Sequence, residues 1–92
     1  MENHPIVTLI QKIELQYPRE LQKYFTIVTK KRTEKLYKLI VTAKNAEQLD
    51  KRLLFKKIFT KTYSDKNDYL WRNEIRILKE ELENFLIRKE HA

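Results

Sequence analysis

The stretch 66-KNDYLWRNEIRILKEELENFLIRK-89 decides the fold. Its apolar residues Trp71, Ile75, Leu78, Leu82 and Phe85 recur at spacings of 4, 3, 4 and 3. That is the period of a helix burying one stripe. Neither proline nor glycine interrupts it. Arg76 with Glu80, and Lys79 with Glu83, can pair across one turn. At 1.5 Å per residue such a helix is about 35 Å long. The other residues of a 92-residue chain build a small core. The stripe through Leu78, Leu82, Phe85 and Leu86 is therefore expected to run past that core and to offer a protein interface.

Outward from this helix the chain divides at its turn residues. Residues 60–65, TKTYSD, break the pattern, and Ser64 or Asp65 is placed to cap the last helix. Residues 51–59, KRLLFKKIF, form a short helix capped by Asp50, with Leu54, Phe55, Ile58 and Phe59 inward. Asn45–Asp50 is a connector. Pro5 suits the first turn of an opening helix over about residues 5–16, with Asn3 as cap and Ile6, Leu9, Ile10, Ile13 and Tyr17 on one face. Pro18 disfavours helix at Tyr17 and opens a second helix, about residues 18–30, presenting Leu21, Tyr24, Phe25 and Val28. A third, about residues 34–44, would be capped by Thr33 and turn Leu36, Leu39, Ile40 and Ala43 inward. The alternative is one long bent helix across residues 18–44. The expected fold is all-α: a single bundle of about five helices, one domain over residues 1–92, whole or cut from a larger protein.

Composition supports this and removes several functions. Glycine supplies positive φ at tight hairpins and close backbone approach at phosphate loops, and the chain has none. Tight β-hairpins, a P-loop and a dinucleotide turn are thereby disfavoured. There is no cysteine, which excludes disulfides, thiolate chemistry and cysteine metal sites. No apolar run approaches the length of a membrane-spanning helix. The N-terminus, MENHPIVTLIQKIELQ, lacks a secretion signal's basic start and small-residue cleavage site. A cytoplasmic location is expected.

Catalysis has little to work with. His4 and His91 stand at the chain ends. Glu80, Glu81 and Glu83 point different ways around a helix and serve as its solvated face. Asp65 and Asp68 fit a cap and a dipole partner better than a metal pair. No catalytic residue, metal or cofactor is expected. Trp71, Phe25, Phe55, Phe59 and Phe85 belong to apolar faces. Tyr37, between Lys35 and Lys38, falls off the Leu36–Leu39–Ile40 face. It is expected as an ordinary surface residue, the alternative being a platform for base stacking.

Charge carries the functional signal. Residues 23–66 hold thirteen basic residues and four acidic ones, while the net charge of the whole chain is +7. Such asymmetry attracts a polyanion or an acidic protein surface. A lysine-rich solvated surface of purely compositional origin is the plain alternative. The candidate contacts are Lys30, Lys31, Arg32, Lys35, Lys38, Lys56, Lys57 and Lys61. Residues 50–87 also have the outline of a helix-turn-helix, a short helix, a turn and a longer helix. In such units the second helix reads base edges with its N-terminal residues, here Lys66, Asn67, Arg72, Asn73 and Arg76. The bland reading of the same segment is a helical hairpin.

Residues 49–86 resemble a pattern of uncharacterised helix-rich bacterial proteins, with an LF..LF helix, a turn holding Tyr and Asp, and a long LR…L..L…FL helix. They are also loosely similar to the helical part of winged-helix activator domains. Leu54, Phe55, Ile58, Phe59, Tyr63, Asp65, Trp71, Arg72, Leu78, Leu82, Phe85 and Leu86 carry the match. Most are apolar, so the resemblance implies a fold more than a function. A winged helix would add strands, and after Leu86 the chain has only IRKEHA. Two functions follow as expectations: a non-enzymatic module binding nucleic acid through the 23–66 basic surface, or an interaction, adaptor or inhibitor module assembling through helix faces, with itself or a partner. Binding an anionic membrane surface is a minor third.

Overall fold

The computed structural model describes residue 1 and residues 3–91. Five α-helices follow one another: α1 Pro5–Gln16, α2 Pro18–Ile27, α3 Lys31–Thr42, α4 Lys51–Phe59 and α5 Asp68–Glu90. Short 3-10 turns at Ala46–Leu49 and Asp65–Asn67 lead into the last two. The described residues are 81% helical, without strands, so the fold is all-α.

The helix boundaries follow local chemistry. Pro5 and Pro18 sit at first-turn positions of α1 and α2, where a missing N–H costs nothing. The cap of α1 is His4 rather than the expected Asn3: its Nδ1 accepts from the Ile6 N–H at 3.1 Å. Asp50 caps α4 through the Leu53 N–H at 3.1 Å. Ser64 and Asn67 form a capping box around the 65–67 turn. Thr60 ends α4 at φ 57°, ψ 31°.

α3 departs from the sequence expectation. It begins at Lys31, one turn before the expected start, and no side chain caps it. Thr33 is not a cap but a buried residue whose Oγ1 donates to Glu74 Oε2 at 2.8 Å. The inward face is therefore Thr33, Leu36, Tyr37 and Ile40, at i, i+3, i+4 and i+7. Tyr37, expected outside, is 1% exposed. It stacks on Phe25 at 4.2 Å and donates to Glu14 at 2.7 Å. Its ring is closed to any base.

α3 is the hub, packing against each of the other four helices. Leu54 and Phe55 of α4 cover one flank of the core, and Ile10, Leu21, Phe25 and Leu78 fill its middle. α5 keeps its apolar stripe on the core from Trp71 as far as Phe85. Leu78 and Leu82 are wholly buried and Phe85 is 2% exposed, while Leu86 packs partly against the same cluster. The expected overhang and interface at Leu78, Leu82, Phe85 and Leu86 are thus corrected. Phe85 makes edge contacts to Tyr17 at 5.7 Å and Tyr24 at 5.5 Å, so the α1–α2 corner reaches far enough to cover the end of the stripe.

Candidate nucleic-acid interface

With its apolar face committed inward, α3 turns Lys31, Lys35 and Lys38 to solvent at i, i+4 and i+7. They line a shallow depression of about 290 Å3 with Glu34, Leu39 and Thr42. Lys38 is paired with Glu34 at 3.0 Å. That contact, with hydrogen bonding from Thr26, holds the Glu34 carboxyl below its ordinary value. Lys31 and Lys35 have no ion-pair partner among the described residues.

One contact extends this face onto α4. Lys35 Nζ donates to the Lys57 carbonyl at 2.8 Å, within the last turn of α4, where orphan carbonyls and the negative end of the helix dipole favour a cation. Arg32 lies 4.6 Å over the Phe59 ring, a cation–π contact that holds the guanidinium beside the same turn. Lys56, Lys57 and Lys61 are exposed at and just beyond this turn. The left-handed Thr60 redirects the chain there, which keeps Lys61 at the end of α4.

Lys30, Lys31 and Arg32 occupy the cap and first turn of α3, the positive end of its dipole. Cations there are electrostatically unfavourable, and the first-turn N–H groups have no side-chain acceptor. An anion nearby would relieve both.

The helix-turn-helix set behaves differently. Asn67 accepts from the Ser64 N–H at 2.8 Å and donates to the Thr62 carbonyl at 3.0 Å, so its amide holds the turn. Arg72 Nε is 2.9 Å from Asp68. Arg76 spans Glu80 at 2.8 Å and Asn73 at 2.7 Å. Only Lys66 of the five has no described partner. Asp68, Glu80, Glu81 and Glu83 on the same helix give it mixed charge, which repels phosphate. α4 also lies against α3 and the 46–49 turn, while α5 lies against α1 and α3. In a helix-turn-helix the N-terminal residues of the second helix reach the base edges. Here Asn67, Arg72, Asn73 and Arg76 are engaged within the protein, and α4 and α5 pack chiefly on other elements of the bundle.

Asp68 is the centre of a separate polar knot. It is bonded to Lys51 at 2.8 Å, to Arg72, and to the Tyr63 hydroxyl. The Lys51 ammonium and then the Tyr63 hydroxyl hold its carboxyl below the ordinary 3.8, and Lys51 is raised in turn. Asp68 is thus a structural anchor between α4 and α5. His91 is exposed at the end of α5. Among the described residues no three His, Asp or Glu side chains gather as metal ligands, and no helix is long and apolar enough to cross a membrane.

No protein-family model, curated protein or solved structure matches the chain. The site is therefore read from its own geometry.

Proposed function

We propose that the chain is a non-enzymatic module that binds the phosphate backbone of nucleic acid. The face is formed by Lys30, Lys31, Arg32, Lys35 and Lys38 of α3 with Lys56, Lys57 and Lys61 at the end of α4. The observation that carries the reading is the bond from Lys35 to the Lys57 carbonyl, which joins two lysine-bearing helices into one acid-poor surface. Phosphate contacts supply affinity and register, and base contacts supply specificity. Tyr37 is buried and the α5 set is internally engaged, so the reading is of backbone binding with little sequence preference. It implies a cytoplasmic location.

Fluorescence polarisation with a labelled duplex and a labelled single strand tests this. Binding should weaken steeply between about 50 and 200 mM salt as counterion release is lost. Lys31→Ala with Lys35→Ala should lower the slope of log affinity against log salt by about 2. Arg72→Ala with Arg76→Ala should change affinity less than about twofold. Absence of binding to either probe at low salt removes the proposal. A larger loss from the α5 pair than from the α3 pair moves the site to α5.

A further inference from the structure

Far along α5 from Asp68, α2 and α5 enclose a groove of about 400 Å3. The two helices meet there through rings, Tyr24 edge-on to Phe85 at 5.5 Å. These rings form the floor, 7% and 2% exposed. Ile27 and Val28, where α2 ends, form an apolar wall that is 67% and 43% exposed.

The rim is basic. Lys23, Arg88 and Lys89 line it with Glu20, and Glu81 beside the floor accepts from the Tyr24 hydroxyl at 3.2 Å. Arg88 lies 5.1 Å from the Tyr24 ring, and Lys89 lies 5.7 Å from Tyr17 and 5.8 Å from Phe85. None of the three cations has an ion-pair partner among the described residues. Earlier in α5 the pattern is reversed, with Arg72 and Arg76 each paired to an acid of the same helix. The end of α5 thus holds its cations over aromatic rings, desolvated on one side and open to a carboxylate on the other.

We infer that this groove docks an acidic amphipathic peptide segment of another protein. Its apolar side chains, three or four residues apart, would cover Ile27 and Val28, and its carboxylates would reach Lys23, Arg88 and Lys89. The chemistry selects this occupant. A polynucleotide gains nothing from the aliphatic wall, and the ring faces are packed away from its bases. A second copy of a chain with net charge +7 brings like charge to the rim. A flat bilayer meets the rim and not the recessed floor.

The test is selection from a phage-displayed library of short random peptides against the whole chain, followed by polarisation with the most enriched peptide. Enriched sequences should be acidic with an apolar pair at helical spacing. Arg88→Glu with Lys89→Glu should weaken binding about tenfold or more, with the far-ultraviolet circular dichroism unchanged. Ile27→Ser, an uncharged change at an exposed site, should also weaken it. The charge-matched Lys56→Glu with Lys57→Glu should leave it intact, which separates this surface from the α3–α4 face. No enrichment, enrichment of basic or uncharged sequences, or a loss confined to the Lys56/Lys57 variant overturns the proposal. So does self-association in sedimentation, or retention on phosphatidylserine vesicles, if the Ile27→Ser change abolishes it.

Discussion

Thr60 holds the only positive φ among the described non-glycine residues. A β-branched side chain there costs about 1–2 kcal/mol, and the chain has no glycine to take the position. Thr60→Gly should therefore raise stability by about 0.5–1 kcal/mol, net of glycine's larger unfolded-state entropy, read as a shift in the urea midpoint. His4 carries a pH dependence. Its Nδ1 must stay unprotonated to accept the Ile6 N–H, and burial, then the nearby N-terminal ammonium, lowers its pKa from 6.5. The unfolded chain then binds the proton more readily, so stability rises with pH in this window. The cap's contribution is whole above pH 6.5 and lost as pH falls through the lowered value. Urea midpoints across this range should show the loss, and His4→Ser, which caps without titrating, should abolish it. Neither residue is legible in the sequence, where Asn3 is the better cap type and nothing marks Thr60 as left-handed. Tyr37 is illegible for a different reason: its place depends on where α3 starts.

At the scale of elements, periodicity is readable where the apolar pattern is long. α5 and α4 follow the sequence closely, since Trp71, Leu78, Leu82 and Phe85, and likewise Leu54, Phe55, Ile58 and Phe59, are all buried. α3 keeps Leu36 and Ile40 inward as expected, but its face is rotated toward Thr33 and Tyr37, leaving Leu39 and Ala43 at its edge. Its start at Lys31 has no capping side chain, and its inward face includes Thr33 and Tyr37, whose polar ends are satisfied by Glu74 and Glu14. Those partners lie 41 and 23 residues away, beyond any local signal. The reach of α5 is misjudged from sequence for the same reason, because the rings that cover Phe85 come from the α1–α2 junction, at Tyr17, and from Tyr24 of α2. Leu82→Ala should accordingly cost about 2–5 kcal/mol as a core cavity, seen as a lower urea midpoint. An effect under about 0.5 kcal/mol would mark an exposed position instead.

At the scale of the molecule, the excess of positive charge is legible as a count, but its arrangement is not. The α3–α4 face exists because Lys35 reaches a carbonyl of α4, and the α2–α5 groove exists because bulky rings hold two helices apart. The two surfaces predict separable behaviour: salt-sensitive nucleic-acid binding that follows Lys31 and Lys35, and peptide binding that follows Ile27, Arg88 and Lys89. Trp71 supplies a control on the fold for either measurement. It is the sole tryptophan and 5% exposed, lining a cleft with Met1, His4 and Lys51. Phe85 stands about 21 Å further along α5 at 1.5 Å per residue. Indole emission thus reports the seating of α5 against the start of α1, at the end of α5 away from the groove. It should shift to the red on unfolding and with the loss of the His4 cap. A peptide filling the groove should leave it unmoved, so an intrinsic optical signal distinguishes a ligand that binds the native bundle from one that pries it open.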